Sequence, residues 1–153
     1  MITENYKHPQ SMRNGDKNCC TVVALSILAD ITFDEAQEIM GRAGRKRNQG
    51  FSRQEWQPIY ERYGKLDKSI WANYRFKQIR TLFRNESEYL KDHIVVINTN
   101  KHVFVSVFGE IQDWMSKNRR HEIWEIWTFT PKGMKESTER PEQPKPIKIS
   151  YRK

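Results

Sequence analysis

Residues 15–28 read GDKNCCTVVALSIL. A turn-prone, polar stretch gives way here to an apolar one, and both cysteines of the chain stand at the change. Val22, Val23, Leu25, Ile27 and Leu28 surround the small Ala24 and Ser26, so apolar side chains point in nearly every direction of a helix running from about Cys19 to Ala29. A helix that is apolar all round is buried. Cys20 then falls in its first turn. The unpaired N–H groups and macrodipole of a helix N-terminus favour a thiolate over a thiol, and the same N–H groups can receive an oxyanion. The bland alternative is that free cysteines are small buried hydrophobes.

The next segments alternate helix signals with loops. Thr32 reads as an N-cap before FDEAQEIMG, with Asp34 and Glu35 in the first turn and Gly41 at the end. A loop follows over residues 42–51. Ser52 caps a helix over RQEWQPIYERYG, with Pro58 as an internal break and Gly64 as the stop. LDKSIWANY is ambiguous. Residues 75–91, RFKQIRTLFRNESEYLK, return to a helical period, with Phe76, Ile79 and Phe83 on one stripe and Lys77, Arg80 and Arg84 on another.

The period then changes to two. HIVVIN (93–98) and HVFVSVF (102–108) are strand runs separated by a turn, Gly109 turns the chain into EIQDW, and EIWEIWTFT (122–130) is a fourth strand. Helices first and antiparallel strands after predict an α+β fold with a helical layer on a sheet. Residues 1–130 form the expected domain. Residues 131–153 carry four prolines among mostly polar side chains and read as a tail, in which IKISY is a candidate edge strand.

His102 opens the second strand run. Within that strand His102, Phe104, Ser106 and Phe108 share one face and the valines 103, 105 and 107 the other. With a tight turn at 108–109, residue 104 faces residue 113. Asp113 is then diagonal to His102, at roughly 7–8 Å between backbones, within reach of a side chain that fixes an imidazole tautomer. His8, His93 and His121 lack such a partner. The four histidines form no metal-ligand spacing, so the sequence offers no metal site and calls for no cofactor.

Composition bounds the rest. No apolar run approaches the ~18 residues that span a bilayer, and the first residues lack the apolar stretch of a signal peptide, which points to a cytoplasmic protein with free thiols. The net charge of +8 raises nucleic acid as a partner. Residues 41–53 carry five basic side chains and no acid, and residues 74–84 four more. A solvated basic surface explains them as well, and weak, non-specific nucleic-acid binding is the expectation.

Four motifs occur in order: CTVVAL (20–25), DEAQEI (34–39), GRKRNQG (44–50) and HVFVSVFGEIQDW (102–114). Together they resemble the papain-like cysteine peptidase superfamily, and most closely a group of short phage and prophage proteins. The resemblance spans residues 14–114 and implies a papain-like fold with Cys20 as nucleophile, His102 as base and Asp113 as orienter. Cys19 is out of register. Where papain-like enzymes place a glutamine before the nucleophile, this chain has Asn14, with Asn18 as an alternative oxyanion donor. The resemblance implies a thiol hydrolase acting on a peptide, isopeptide or side-chain amide of a protein or peptide substrate, in the host cytoplasm if phage-encoded. The competing reading is a non-catalytic basic binding module, in which Arg45, Lys46, Arg47 and Gly50 form a substrate or phosphate loop and Trp71 or Tyr74 stacks bases.

Overall fold

The computed structural model describes residues 19–46, 48–100, 102–112 and 120–133. Helix α1 is Cys20–Ala29, and its eight residues 21–28 are all buried. Thr21, Val22, Val23 and Ile27 are β-branched and lower its intrinsic propensity, so packing holds it; each fully buried aliphatic side chain contributes about 1.5–3 kcal/mol. Ser26 satisfies its hydroxyl inside the helix, donating to Val23 O at 2.7 Å. The helix ends where Asp30 turns left-handed at φ 57° and Ile31 N donates to Ser26 O.

Helix α2, Phe33–Arg42, starts at the expected Thr32. Glu35 N donates to Thr32 Oγ1 and Thr32 N to Glu35 Oε1, a reciprocal capping pair. Its stop is not Gly41 but Gly44, which takes φ 112° while Arg45 N donates to Met40 O and Gly44 N to Gly41 O. Helix α3, Arg53–Tyr60, begins after Ser52 with a second capping pair to Glu55 and runs through Pro58. It does not reach Gly64.

Gly64 instead opens strand β1, Gly64–Asp67, an element the sequence reading leaves without an assignment. A one-turn 3₁₀ helix at Ala72–Tyr74 follows. The single helix expected over 75–91 is two short ones, α4 at Ile79–Asn85 and α5 at Ser87–Lys91. Ahead of α4 the backbone pairs with residues 121–123: Phe76 N donates to Ile123 O at 2.6 Å, Ile123 N to Lys77 O at 2.8 Å and Ile79 N to His121 O at 3.0 Å. Those bonds pull 76–78 out of the helix, and Phe76 leaves the apolar stripe for solvent.

Strands β2 (Ile94–Asn98), β3 (Val103–Val107), β4 (Glu110–Gln112) and β5 (Glu125–Pro131) complete an antiparallel five-stranded sheet in the order β1-β5-β2-β3-β4. The α+β expectation holds, with three helices at the N-terminus, but β1 precedes α4 and α5 in the chain. Pro131, expected to begin the tail, is the last residue of β5, paired with Gly64. Residues 134–153, including IKISY, lie outside the described residues.

The sheet is covered on both faces, not on one. Alternation along the strands puts Ile94, Val96, Val103, Val105, Val107, Trp127 and Phe129 against α1, α2 and α3. Val95, Ile97, Phe104 and Ile126 face the other way, against Trp71, Ile79, Leu82, Leu90 and Ile123. Thr128 ties this second face: Trp71 Nε1 donates to its Oγ1 at 3.0 Å, and the Tyr89 hydroxyl lies 2.8 Å from the same atom. Among the described residues no helix is long and apolar enough to cross a membrane.

Gly64 opens β1 opposite Pro131 of β5. A Cβ there would meet Thr130 O and lie 2.5 Å from a Phe129 ring carbon. Gly64→Ala therefore lowers stability by about 1–3 kcal/mol, the usual cost of overpacking a site with no room to give. Urea denaturation checks this, and an unchanged midpoint would show that β1 is not tightly docked.

Candidate functional site

The two cysteines occupy different environments. Cys19 caps α1 and is completely buried, and its carbonyl accepts from Val22 N at 3.0 Å and Val23 N at 2.9 Å. Cys20, the first helical residue, is half-buried and packs at the margin of the core that α1 shares with β3. The N–H groups of Cys20 and Thr21 precede the helix's own ladder, which begins with Val22. The doublet thus divides into an inner, structural thiol and an outer, accessible one.

Two neighbours of Cys20 were not singled out from the sequence. Tyr60 is buried at the end of α3, stacked on Trp56 at 4.5 Å, and its hydroxyl donates to Thr21 O at 2.8 Å. Burial pushes that hydroxyl well above its ordinary value, and the nearby charge of an ionised Cys20 adds to the effect. Thr21 is 2% exposed, and its Oγ1 is buried without a hydrogen-bond partner among the described residues. The only sequence signal for Tyr60 was its place on the apolar stripe of a helix, which marks core and not chemistry.

His102 stands immediately before β3, outside the ladder. Its carbonyl is held twice by Thr99, whose N donates at 2.7 Å and whose Oγ1 donates at 3.1 Å. The turn between β2 and β3 is thereby closed and the His102 backbone fixed. Its ring lies beside Phe104 at 5.9 Å between centroids. Helix α1, which Cys20 opens, packs directly on β3, the strand that His102 precedes. The side chains leave by different faces: Cys20 lies against the valine side, and His102 lies alongside Phe104, which belongs to the second cluster.

The β3–β4 register pairs Val107 with Glu110, Ser106 with Ile111 and Val105 with Gln112, as the tight turn required, with Phe108 and Gly109 both at positive φ. Asp113, Asn14, Asn18 and Arg47 lie outside the described residues. In the basic loop, Lys46 and Gly50 are exposed, but Arg45 is 6% exposed and does not present a phosphate contact to solvent. The reason is local: the bond from Arg45 N to Met40 O folds the residue back over the end of α2. Trp71, expected as a base-stacking residue, is 3% exposed in the second core. Tyr74 is half-buried, with its hydroxyl bonded to Glu86 at 2.5 Å.

Comparison with known protein families, curated proteins and solved structures returned no match.

The Tyr60 environment sets a pH dependence. A tyrosine whose folded-state pKa is raised favours the folded state while both states are protonated, below the ordinary value of 10.0. That contribution is lost as pH rises from 10 through the folded value, because the unfolded chain ionises first. Melting temperature should therefore fall steeply above pH 10, and Tyr60→Phe should make the fall shallower at a cost of about 1 kcal/mol near neutrality from the lost hydrogen bond. Tyr74 and Tyr89, also shifted upward, leave a residual slope. Parallel pH profiles for the two proteins would contradict the assignment.

Proposed function

We propose that this chain is a thiol hydrolase of papain-like type that cleaves a peptide, isopeptide or side-chain amide bond. The observation that supports the reading most is the placement of Cys20: a half-exposed thiol on the first residue of a buried helix that is packed against the strand His102 leads into. Three N-terminal helices and an antiparallel sheet are what the papain-like resemblance implies, although β1, α4 and α5 come between those helices and the other strands.

In this reading the Cys20 sulfur attacks the carbonyl carbon of the scissile amide while His102 takes the thiol proton. The carbonyl oxygen, now anionic, is received by the N–H groups at the start of α1, with Asn14 or Asn18 as the side-chain donor. The carbon–nitrogen bond breaks, His102 protonates the leaving amine, and a thioester remains on Cys20. Water, deprotonated by His102, attacks the thioester and releases the acid and the free thiol. Asp113 holds the imidazole in the tautomer that the first step needs. The first step requires the His102 ring to reach the valine face, where Cys20 lies, whereas in this structure it lies beside Phe104.

A panel of fluorogenic peptide, isopeptide and glutamine-amide substrates tests the proposal. Cys20→Ala should abolish turnover with the fold intact by circular dichroism. His102→Ala should lower it by about 10²–10⁴-fold, and Asp113→Asn by less. Asn14→Ala should cost about 2.7–4 kcal/mol of transition-state stabilisation if it completes the oxyanion hole. A folded Cys20→Ala protein with wild-type turnover would end the hydrolase reading.

A further inference from the structure

Phe76 is a bulky residue at φ 70°, a left-handed conformation that side chains other than glycine, asparagine and aspartate seldom adopt. It sits where the backbone doubles up against a single partner: Phe76 N donates to Ile123 O, and Ile123 N donates to Lys77 O. Two residues opposing one is the pattern of a β-bulge, and bulges with a left-handed first residue usually carry glycine there. Here the position carries a phenylalanine, and the residue is 57% exposed. Core packing therefore does not explain either the conformation or the residue. Strain of this kind persists where the surroundings over-determine it, and it clusters at ligand sites.

The surroundings of Phe76 supply the second observation. Trp124, 41% exposed, directly follows the Ile123 that Phe76 bonds, so two exposed aromatic side chains leave neighbouring backbone. The Arg75 guanidinium lies 4.8 Å over the Phe76 ring. Residues 75–80 and 120–124 carry four basic side chains, Arg75, Lys77, Arg80 and Arg120, against one acid, Glu122, and all five are exposed. Trp124 N donates to Asn98 O, and Asn98 pairs with Val103, so this surface lies at the same end of the sheet as His102.

We infer that Phe76 and Trp124 form a stacking platform, flanked by Arg75, Lys77, Arg80 and Arg120, that binds single-stranded nucleic acid. Exposed aromatic faces beside cations match a ligand that is at once polyanionic and rich in flat rings; bases stack on the rings, and phosphates lie on the basic side chains. An acidic peptide would use the charges but not the rings. The platform replaces the basic loop and Trp71 as the place where nucleic acid is held, and it does not depend on the hydrolase reading.

Fluorescence anisotropy with a labelled twelve-nucleotide oligothymidine, against a polyglutamate peptide of equal charge, tests the inference. The full-length protein should bind the oligonucleotide at low salt with quenching of tryptophan emission, lose affinity steeply as salt rises, and bind polyglutamate at least tenfold more weakly. Trp124→Ala should reduce both the quenching and the affinity. Phe76→Gly separates function from structure: glycine accepts the left-handed backbone, so the variant should melt at a higher temperature than wild type and yet bind the oligonucleotide about tenfold or more weakly. A Phe76→Gly protein that is less stable would show that the ring is structural, and unchanged affinity in both variants would remove the platform. Equal affinity for polyglutamate would reassign the surface to acidic peptides, and no binding of either probe at low salt would overturn the inference.

Discussion

Helix α1 has no polar face, and residues 21–28 must all be kept from water at once. No single partner can do that. The sheet covers one side through the valines of β3 with Ile94, Val96 and Trp127, and α2 and α3 close over the remainder. Removing any of these partners would expose several aliphatic side chains, each worth about 1.5–3 kcal/mol, against a total stability of about 5–15 kcal/mol for an ordinary domain. The position of Cys20 follows from this enclosure. A helix held on every side has little freedom to slide or tilt, so its first residue is fixed relative to β3 to the precision of core packing.

The sheet carries a second obligation. Strands β2 and β3 are apolar at nearly every position, and a sheet with only one covered face would leave Val95, Ile97 and Phe104 in water. The segment from Trp71 to Leu90 exists in its broken form to meet that need. It must turn Trp71 and Tyr89 onto Thr128, lay Ile79, Leu82 and Leu90 on the strands, and lend its 76–78 backbone to residues 121–123. One continuous helix cannot do all three, and two short helices with an extended lead-in can. The exposed Phe76 is a by-product of that extended lead-in in backbone terms.

The elements that local chemistry decides were legible in the sequence. The Thr32 and Ser52 caps, the apolar wall of α1 and the strand character of residues 94–98 and 103–107 each depend on neighbouring residues or a plain period. What was not legible depends on distant partners. Gly64 stops a helix by local rules, yet here it lets β1 approach β5, because Phe129 and Thr130 leave no room for a Cβ. Residues 75–91 keep a helical period, but backbone bonds to 121–123 outweigh it at the front. Strand β3, with valines on one face and Phe104 and Ser106 on the other, is buried on both, since alternation reports chemistry and not which layers cover it. Of the candidate site, the preference for Cys20 over Cys19 came from the motif register of the resemblance, and the burial that separates the two thiols comes from packing. Tyr60 and Thr99 were not, because an aromatic on an apolar stripe and a threonine in a turn carry no mark of what they will touch.

The claim on which the functional account rests is that His102 acts on Cys20. It is tested most directly by the rate at which iodoacetamide alkylates each cysteine at pH 7.5, resolved by peptide mass mapping, in the wild type and in His102→Ala. The account predicts that Cys20 is modified well ahead of the fully buried Cys19, and that its rate falls at least tenfold when His102 is removed while Cys19 is unaffected. Equal Cys20 rates in the two proteins, or modification of Cys19 first, would contradict it.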